Sequence, residues 1–596
     1  MSESAITIRE LSYHYRGTPG YALSDINLEV GRGEFLVVMG PSEAGKSTLA
    51  TCINGLIPHF HKGRFHGEVN VYGRNTCDHT VAQMSELVGL VFQDFEAQIF
   101  STNVELEVAF GPENFALPLD EIASRVNEGL AYVGLEAFRN RAPATLSGGQ
   151  KQKLAIASVL AMHPRVLVMD EPTTDLDPIS KQGIFEITGR LRRRDDIAMI
   201  VVEHETEEVL HADRIALIKD GKLVRLGPAD EVLRDVDLME SLGLMPLGVP
   251  RFFKSMGCRN LPLTPEEGVK AFRESGWMIS SERYSQVVAA DPITSRFGEE
   301  PVIQCRGLEH TYPSGVKALD GVDLDIYPGE MVAIVGQNGS GKTTLAKHFN
   351  GLLYPTGGTI TVHGLPTQEQ GIFKLGQKVG YVFQNPDHQI FSETVFDEAA
   401  FGPRLSGLAE EEVKRRVQEA LAAVGLSGYE EQDPFSLTKS GRQRVAVAAV
   451  LASRPEVLIL DEPTTGLDYA EQRGLMELVK RLNEKGSTFI FITHHMWLVA
   501  EYARKVFVIK DGHLFLQGTA RQVFSHEGEL AEACLRPPHF VQFTNRLGMT
   551  MLRPQELAAW WTTNPWKPGW DASGRWRRST PQRRTCAPAS SSLWPR

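Results

Sequence analysis

Gly336-Gln-Asn-Gly-Ser-Gly-Lys-Thr-Thr344 follows the apolar run Met331–Val335, and Gly40-Pro-Ser-Glu-Ala-Gly-Lys-Ser-Thr48 follows Phe35–Met39 in the same way. A strand, a glycine-rich loop and a helix start in that order begin a parallel α/β sheet that binds phosphate at a helix N-terminus. Glycines let backbone N–H groups close around phosphates, lysine reaches the β and γ phosphates, and the next hydroxyl faces Mg²⁺. The candidate loop residues are Gly40, Gly45, Lys46, Ser47 and Thr48 in the first copy. In the second they are Gly336, Gly339, Gly341, Lys342, Thr343 and Thr344.

Working outward, everything around the loops also occurs twice. Gln93 and Gln384, Leu146 and Leu437, Asp170 and Asp461, and Ile122 and Val413 are all separated by one offset. Lys46 and Lys342 lie slightly further apart, because the first copy carries extra residues after its loop. Such self-similarity makes the chain a tandem of two like units. The expected fold is α/β, with two tandem P-loop domains, each having a core sheet, an antiparallel β subdomain and a helical subdomain. The expected division is a first domain at 1–228, an appendix and linker at 229–300, a second domain at 301–519, an appendix at 520–559 and a tail at 560–596. At 596 residues the chain exceeds one core and fits two. Ile122, Val126, Leu130 and Val133 share one face of a helix, and Val413, Val417, Leu421 and Val424 repeat the spacing, which marks the inserted helical subdomain.

Two further motifs supply chemistry. Asp170 and Asp461 end apolar strands, where a carboxylate stands beside the metal. Glu171 and Glu462 follow at the place of a general base or water-orienting group. Leu146-Ser-Gly-Gly-Gln150 reads as a helix start able to bind an anion through Ser147, Gly148, Gly149 and Gln150.

A net charge of −12 argues against a nucleic-acid surface. Six cysteines form no CxxC pair and read as reduced thiols. No stretch reaches the length of a membrane-spanning helix, the longest apolar run being 445–452. The two appendices share a proline cluster, an apolar-basic stretch (252–257 and 540–548) and a turn before a helix, with a flexible connection expected at 289–300. The segment 560–596 holds six of the eight tryptophans and is strongly basic, a composition break expected of a disordered tail or of a reading-frame artefact.

Together these motifs resemble the nucleotide-binding domains of ABC transporters, over roughly 6–227 and 302–518. The resemblance implies ATP and Mg²⁺ as cofactors and ATP hydrolysis as the activity. It implies that Gln93 and Gln384 link Mg²⁺ to the transport partner, that His204 and His494 contact the γ-phosphate, and that Tyr15 and Tyr312 stack on adenine. Asp177 and Asp468 would lie at a dimer seam, where the signature of one half faces the phosphate loop of the other. Val382-Phe-Gln-Asn-Pro-Asp-His-Gln-Ile390 with Ala400-Phe-Gly-Pro403, echoed by Val91-Phe-Gln-Asp-Phe-Glu-Ala-Gln-Ile99 with Ala109-Phe-Gly-Pro112, is similar to the ATPases of energy-coupling factor importers. This implies a vitamin or metal-ion importer with a transmembrane scaffold subunit and a substrate-binding membrane subunit, at the cytoplasmic face of the cell membrane. Glu107 and Glu398, near the glutamines, are expected to pair with basic helices of that scaffold. A soluble twin ATPase acting on ribosomes or nucleic acid would favour a long charged linker and a basic surface, neither of which 229–300 supplies. A chromosome-structuring ATPase would need coiled coil between its motifs.

Two departures stand out. The second signature reads Leu437-Thr-Lys-Ser-Gly441, where Thr438 keeps the hydroxyl but Lys439 and Ser440 replace glycines. Glu43 occupies a loop position where the family has glycine. Both should meet in one composite site, leaving the other regular, and Lys439 would face the anion across the seam. His59, His61 and His66, in the extra segment, fit a polar loop better than a metal site.

Overall fold

The computed structural model describes residues 4–18, 20–173, 176–194, 197–278, 280–291 and 300–558, with the short strands Gly569–Trp570 and Trp576–Arg577. The expected flexible connection falls largely outside the described residues, as does most of the tail. Ala289 and Ala290 lie within the helix Ser281–Ala290.

Each half is built on a six-stranded sheet. In the first, the order is Lys222–Pro228, Arg214–Lys219, Phe35–Met39, Ala198–Val202, Val166–Asp170 and Val88–Val91. All neighbours pair in parallel except the edge strand Lys222–Pro228. The second half repeats the arrangement with Met331–Val335 in the place of Phe35–Met39 and His513–Thr519 as the antiparallel edge. Strands buried on both faces read as continuous apolar runs, which is why these segments lack alternation.

The pleat divides each central strand between two cores. Phe35, Val37 and Met39 face the helices Val104–Asn114, Leu119–Val133 and Gly148–Leu160. Leu36 and Val38 face a four-stranded antiparallel sheet led by Leu23–Gly31 and Ser4–Tyr15. In the second half Met331, Ala333 and Val335 serve the first layer, while Val332 and Ile334 serve the other. The predicted apolar stripe Ile122, Val126, Leu130 and Val133 is buried, and its helix stops at Gly134, which has φ of 73°.

The appendices are not separate ornaments. Helix Gly248–Ser255 of the first packs on His539–Asn545 and Pro554–Ala558 of the second. Phe252, Phe253, Phe272 and Trp277 interleave with Phe540 and Phe543 in one buried cluster. Gly248 is required there, since a Cβ would stand 2.7 Å from that of Phe540. Arg521, 4% exposed, grips Asp291 with two guanidinium nitrogens at 2.7 and 3.0 Å and also reaches Glu556 at 3.1 Å. This fork-to-carboxylate geometry fastens the end of the first half's appendix to the second half.

Candidate functional site

The phosphate loops have the backbone the sequence demands. Gly45 and Gly341 have φ of 99° and 105°, and a Cβ on either would meet the carbonyl oxygen of Ala22 or Ala318 at 2.3 or 2.5 Å. No other residue type fits there. Lys46 Nζ donates to the carbonyls of Gly40 and Pro41 at 3.0 and 2.8 Å; Lys342 Nζ donates to Gly336 and Gln337, both at 2.9 Å. Burial pulls both ammonium groups below the usual lysine value. Glu171, Asp170 and Asp468 oppose this at Lys46, and Glu462, Asp461 and Asp177 oppose it at Lys342.

Those neighbours reveal how the halves sit. Asp468 belongs to the second half yet acts on Lys46, and Asp177 belongs to the first yet acts on Lys342. Asp468 Oδ2 accepts from Ser42 N at 2.9 Å. Each phosphate loop therefore faces the helix start of the opposite half, the head-to-tail pairing the resemblance implies. Further contacts tie the seam: His495 lies 3.4 Å from Glu205, Arg536 lies 3.3 Å from Glu208, and His539 N donates to Glu207 at 2.9 Å.

At the first loop, Glu171 gathers its partners. Gln93 Nε2 donates to Glu171 Oε2 at 2.6 Å, and His204 Nε2 stands 2.6 Å from Oε1. Glu171 and Glu462 both have positive φ, 47° and 46°, a strained backbone that aims the carboxylate. In the second half His494 Nδ1 lies 2.9 Å from Glu462 Oε2. Burial works to raise the Glu462 carboxyl, but His494 and Lys342 bring it below its usual value. Gln384 is exposed.

The residues fit a divalent cation. Asp170 Oδ1 is buried without a hydrogen-bond partner among the described residues, and burial pushes this carboxyl up to about 6 despite the Ser47 hydroxyl bonded to it. A charged ligand would relieve that cost. In the second half Thr343 Oγ1 donates to Asp461 Oδ1 at 3.2 Å, so hydroxyl and carboxylate again converge. Sequence reasoning missed Tyr381, whose hydroxyl donates to Asp461 Oδ2 at 2.7 Å. The repeat held the signal, since the first half has Leu90 at that place.

Tyr15 and Tyr312 stand beside the loops, with hydroxyls bonded to Thr48 and Thr344 at 3.2 and 3.0 Å. Ser147 and Gln150 form a reciprocal capping box on the helix Gly148–Leu160, and Thr438 caps Lys439–Ser453 through Gly441 N at 3.1 Å. Lys439 runs along Gly466 of its own half, within 3.2 Å of a Cβ built there, so the expected reach across the seam is not seen. Glu43 is exposed with φ of 62°, where Gly339 has 81°. His59 Nε2 lies 2.9 Å from the Thr76 carbonyl. No metal-ligating group of three occurs among the described residues.

One expectation is corrected. Glu107 and Glu398 do not face a partner: each is 3% exposed. Glu107 Oε2 accepts from the N–H groups of Phe100 and Ser101 at 3.1 and 2.7 Å, and Glu398 Oε2 accepts from those of Phe391 and Ser392 at 3.0 and 2.9 Å. A carboxylate near unpaired loop N–H groups is worth more there than on the surface.

Two glycine-rich phosphate loops, each closed by the opposite half and each backed by an Asp-Glu pair, define a P-loop ATPase of the sandwich type. Known proteins carry the assignment further. The family model for the ABC transporter matches residues 23–174 and 319–465. An ABC transporter ATP-binding protein of Caldanaerobacter subterraneus subsp. tengcongensis is 53% identical over 563 residues, 94% of this chain and 99% of its own. One from Methanosarcina mazei is 38% identical over 548 residues, 90% of this chain and 92% of its own. The solved structure of cbiO1 from Clostridium perfringens, part of the ABC transporter complex cbiONQ, is 37% identical and covers 42% of this chain and 99% of its own, with a TM-score of 0.37. The chain belongs to the ABC transporter family, as an ATP-binding, ATP-hydrolysing protein with two cassettes in one polypeptide.

Proposed function

We propose that the chain is the motor of an energy-coupling factor type importer for a vitamin or metal ion, bound at the cytoplasmic membrane face through a transmembrane scaffold and a substrate-binding subunit. The observation that carries the partner reading is a matched pair of exposed aromatic corners. Phe100 and Phe110 meet edge to face at 4.5 Å, and Phe391 and Phe401 at 4.8 Å, with Phe100 62% and Phe391 63% exposed. They occupy equivalent places in the two halves, Phe100 and Phe391 on loops held by Glu107 and Glu398, Phe110 and Phe401 on the helices Val104–Asn114 and Val395–Leu405. Exposed apolar pairs duplicated shortly after Gln93 and Gln384 in the sequence suit two helices of a partner rather than solvent. No helix among the described residues is long and apolar enough to cross a membrane. The importer type rests on the paired motifs at 91–99 and 382–390.

In this reading the domains have the limits given above, and Lys46 and Lys342 hold the β and γ phosphates of ATP. Ser47, Asp170 and Gln93 hold one Mg²⁺, and Thr343, Asp461 and Gln384 the other. Mg²⁺ would neutralise the charge developing between the β and γ phosphates. Glu171 and Glu462 orient the attacking water, while His204 and His494 meet the γ-phosphate. Tyr15 and Tyr312 stack on adenine. The Ser147–Gln150 signature closes the second loop, and Thr438 closes the first.

Co-expression with a transmembrane scaffold subunit of the energy-coupling factor type tests the reading. The parent chain should co-purify with membranes only when the scaffold is present. Phe100→Asp combined with Phe391→Asp should abolish that recovery while leaving ATP binding by the free chain intact. Tight membrane binding without a scaffold, or full recovery of the double variant, would overturn the docking reading.

A further inference from the structure

The composite site with the irregular signature contains a carboxylate that the regular site lacks. Glu471 lies in the first turn of helix Tyr469–Glu484, three residues after Asp468. Its Oε1 accepts from Ser440 Oγ of the second signature at 2.5 Å. Its Oε2 accepts from Ser42 Oγ of the first phosphate loop at 3.3 Å and from Asp468 N at 3.1 Å. Ser42 N in turn donates to Asp468 Oδ2 at 2.9 Å. One side chain thus holds the signature of its own half and the phosphate loop of the other.

The regular seam is built differently at both positions. Ser180 stands where Glu471 stands, and Gly149 where Ser440 stands. A Cβ added to Gly149 would lie 2.2 Å from Ser180 Oγ, so a side chain at that position of the signature would have to displace Ser180. Ser440 and Glu471 form a matched exchange for Gly149 and Ser180. The departure in the second signature therefore has a physical counterpart across 31 residues of the same half.

We propose that Glu471 is a positioning residue that latches the first phosphate loop to the second signature. This seam then stays engaged without nucleotide, and opening between cycles occurs at the regular seam. The carboxylate accepts two hydroxyls and a backbone N–H, and charge-assisted bonds of this kind are the stronger ones. The bonds are half-buried at the seam, where water competes for them less than on an open surface. The inference needs only the paired cassettes and holds whichever membrane partner the chain serves.

The competing role for Glu471 is simply to cap its own helix, since it forms a capping box with Asp468. Amide hydrogen exchange on the nucleotide-free full chain separates the two. In the parent, amides in 41–45 should exchange about tenfold more slowly than those in 337–341, a difference of about 1.4 kcal/mol in local opening. Glu471→Ser should erase that difference. Ser42→Ala and Ser440→Gly leave the capping box intact and should each reduce it, with thermal midpoints close to the parent's. Glu471→Gln keeps one acceptor and should fall between. Equal exchange of the two loops in the parent would overturn the latch. So would a Glu471→Ser variant in which only 469–473 exchanges faster, since a cap alone would then account for the residue.

Discussion

The two composite sites share a plan and differ in tension. In the regular one, the loop 336–344 is all glycine where it turns, Asp461 is held by Tyr381 and Thr343, and the facing signature is Ser-Gly-Gly-Gln. In the other, Glu43 replaces a turn glycine, Leu90 stands where Tyr381 supports Asp461, and Glu471 binds the two halves together. On the proposed latch, the irregular site ties the two halves together through Glu471, where the regular site has Ser180.

Loss of the carboxylates proposed to orient the attacking water tests that contrast most severely. Glu462→Gln should cut ATP turnover in the assembled complex by about 10²-fold or more while preserving nucleotide binding. Glu171→Gln should cost far less, and Lys342→Ala should likewise cost roughly tenfold more turnover than Lys46→Ala. Equal steady-state losses at the two sites would break the comparison. A smaller effect is expected at Tyr381: removing a support of the carboxylate proposed to hold Mg²⁺ should weaken metal affinity by about tenfold. Tyr381→Phe should shift the Mg²⁺ titration of ATPase activity to higher concentration, and an unshifted titration would assign the hydroxyl to packing alone.

Two predictions concern stability. Glu208, at the seam, is pushed up to about 7 by burial and by Glu205. The folded chain keeps a proton there that the unfolded chain releases from its ordinary value of 4.5 upward. The carboxyl therefore costs stability progressively as pH rises from 4.5 to about 7, by about 3 kcal/mol even with Arg536 opposing the effect of burial. Glu208→Gln should melt higher than the parent at pH 8 and no differently near pH 4.5. The smallest effect is at Glu43, where relieving a left-handed backbone is worth about 1 kcal/mol. Glu43→Gly should raise the melting temperature by a degree or two, and a fall would show that the glutamate makes a stabilising contact.

The repeat carried most of the fold into view from sequence, because loop, strand and carboxylate positions are fixed by backbone geometry that glycine and apolar runs advertise. Side-chain direction was less legible. Glu107 and Glu398 look like surface charges beside a docking glutamine, yet they turn inward because nearby loop N–H groups need acceptors. Tyr381 and Glu471 act through partners 80 and 429 residues away, and no local pattern encodes such distances. Their signal lay in comparing the copies, where Leu90 and Ser180 mark what one half has and the other lacks.

The aromatic cluster shared by the appendices also sets a timetable for synthesis. Phe252, Phe253 and Trp277 emerge from the ribosome with their partner faces unmade, and Phe540 and Phe543 follow only after the whole second cassette. At about 5–20 residues per second that interval is on the order of ten seconds or more. Through it the newborn first half carries an aromatic patch whose covering residues have not yet been made.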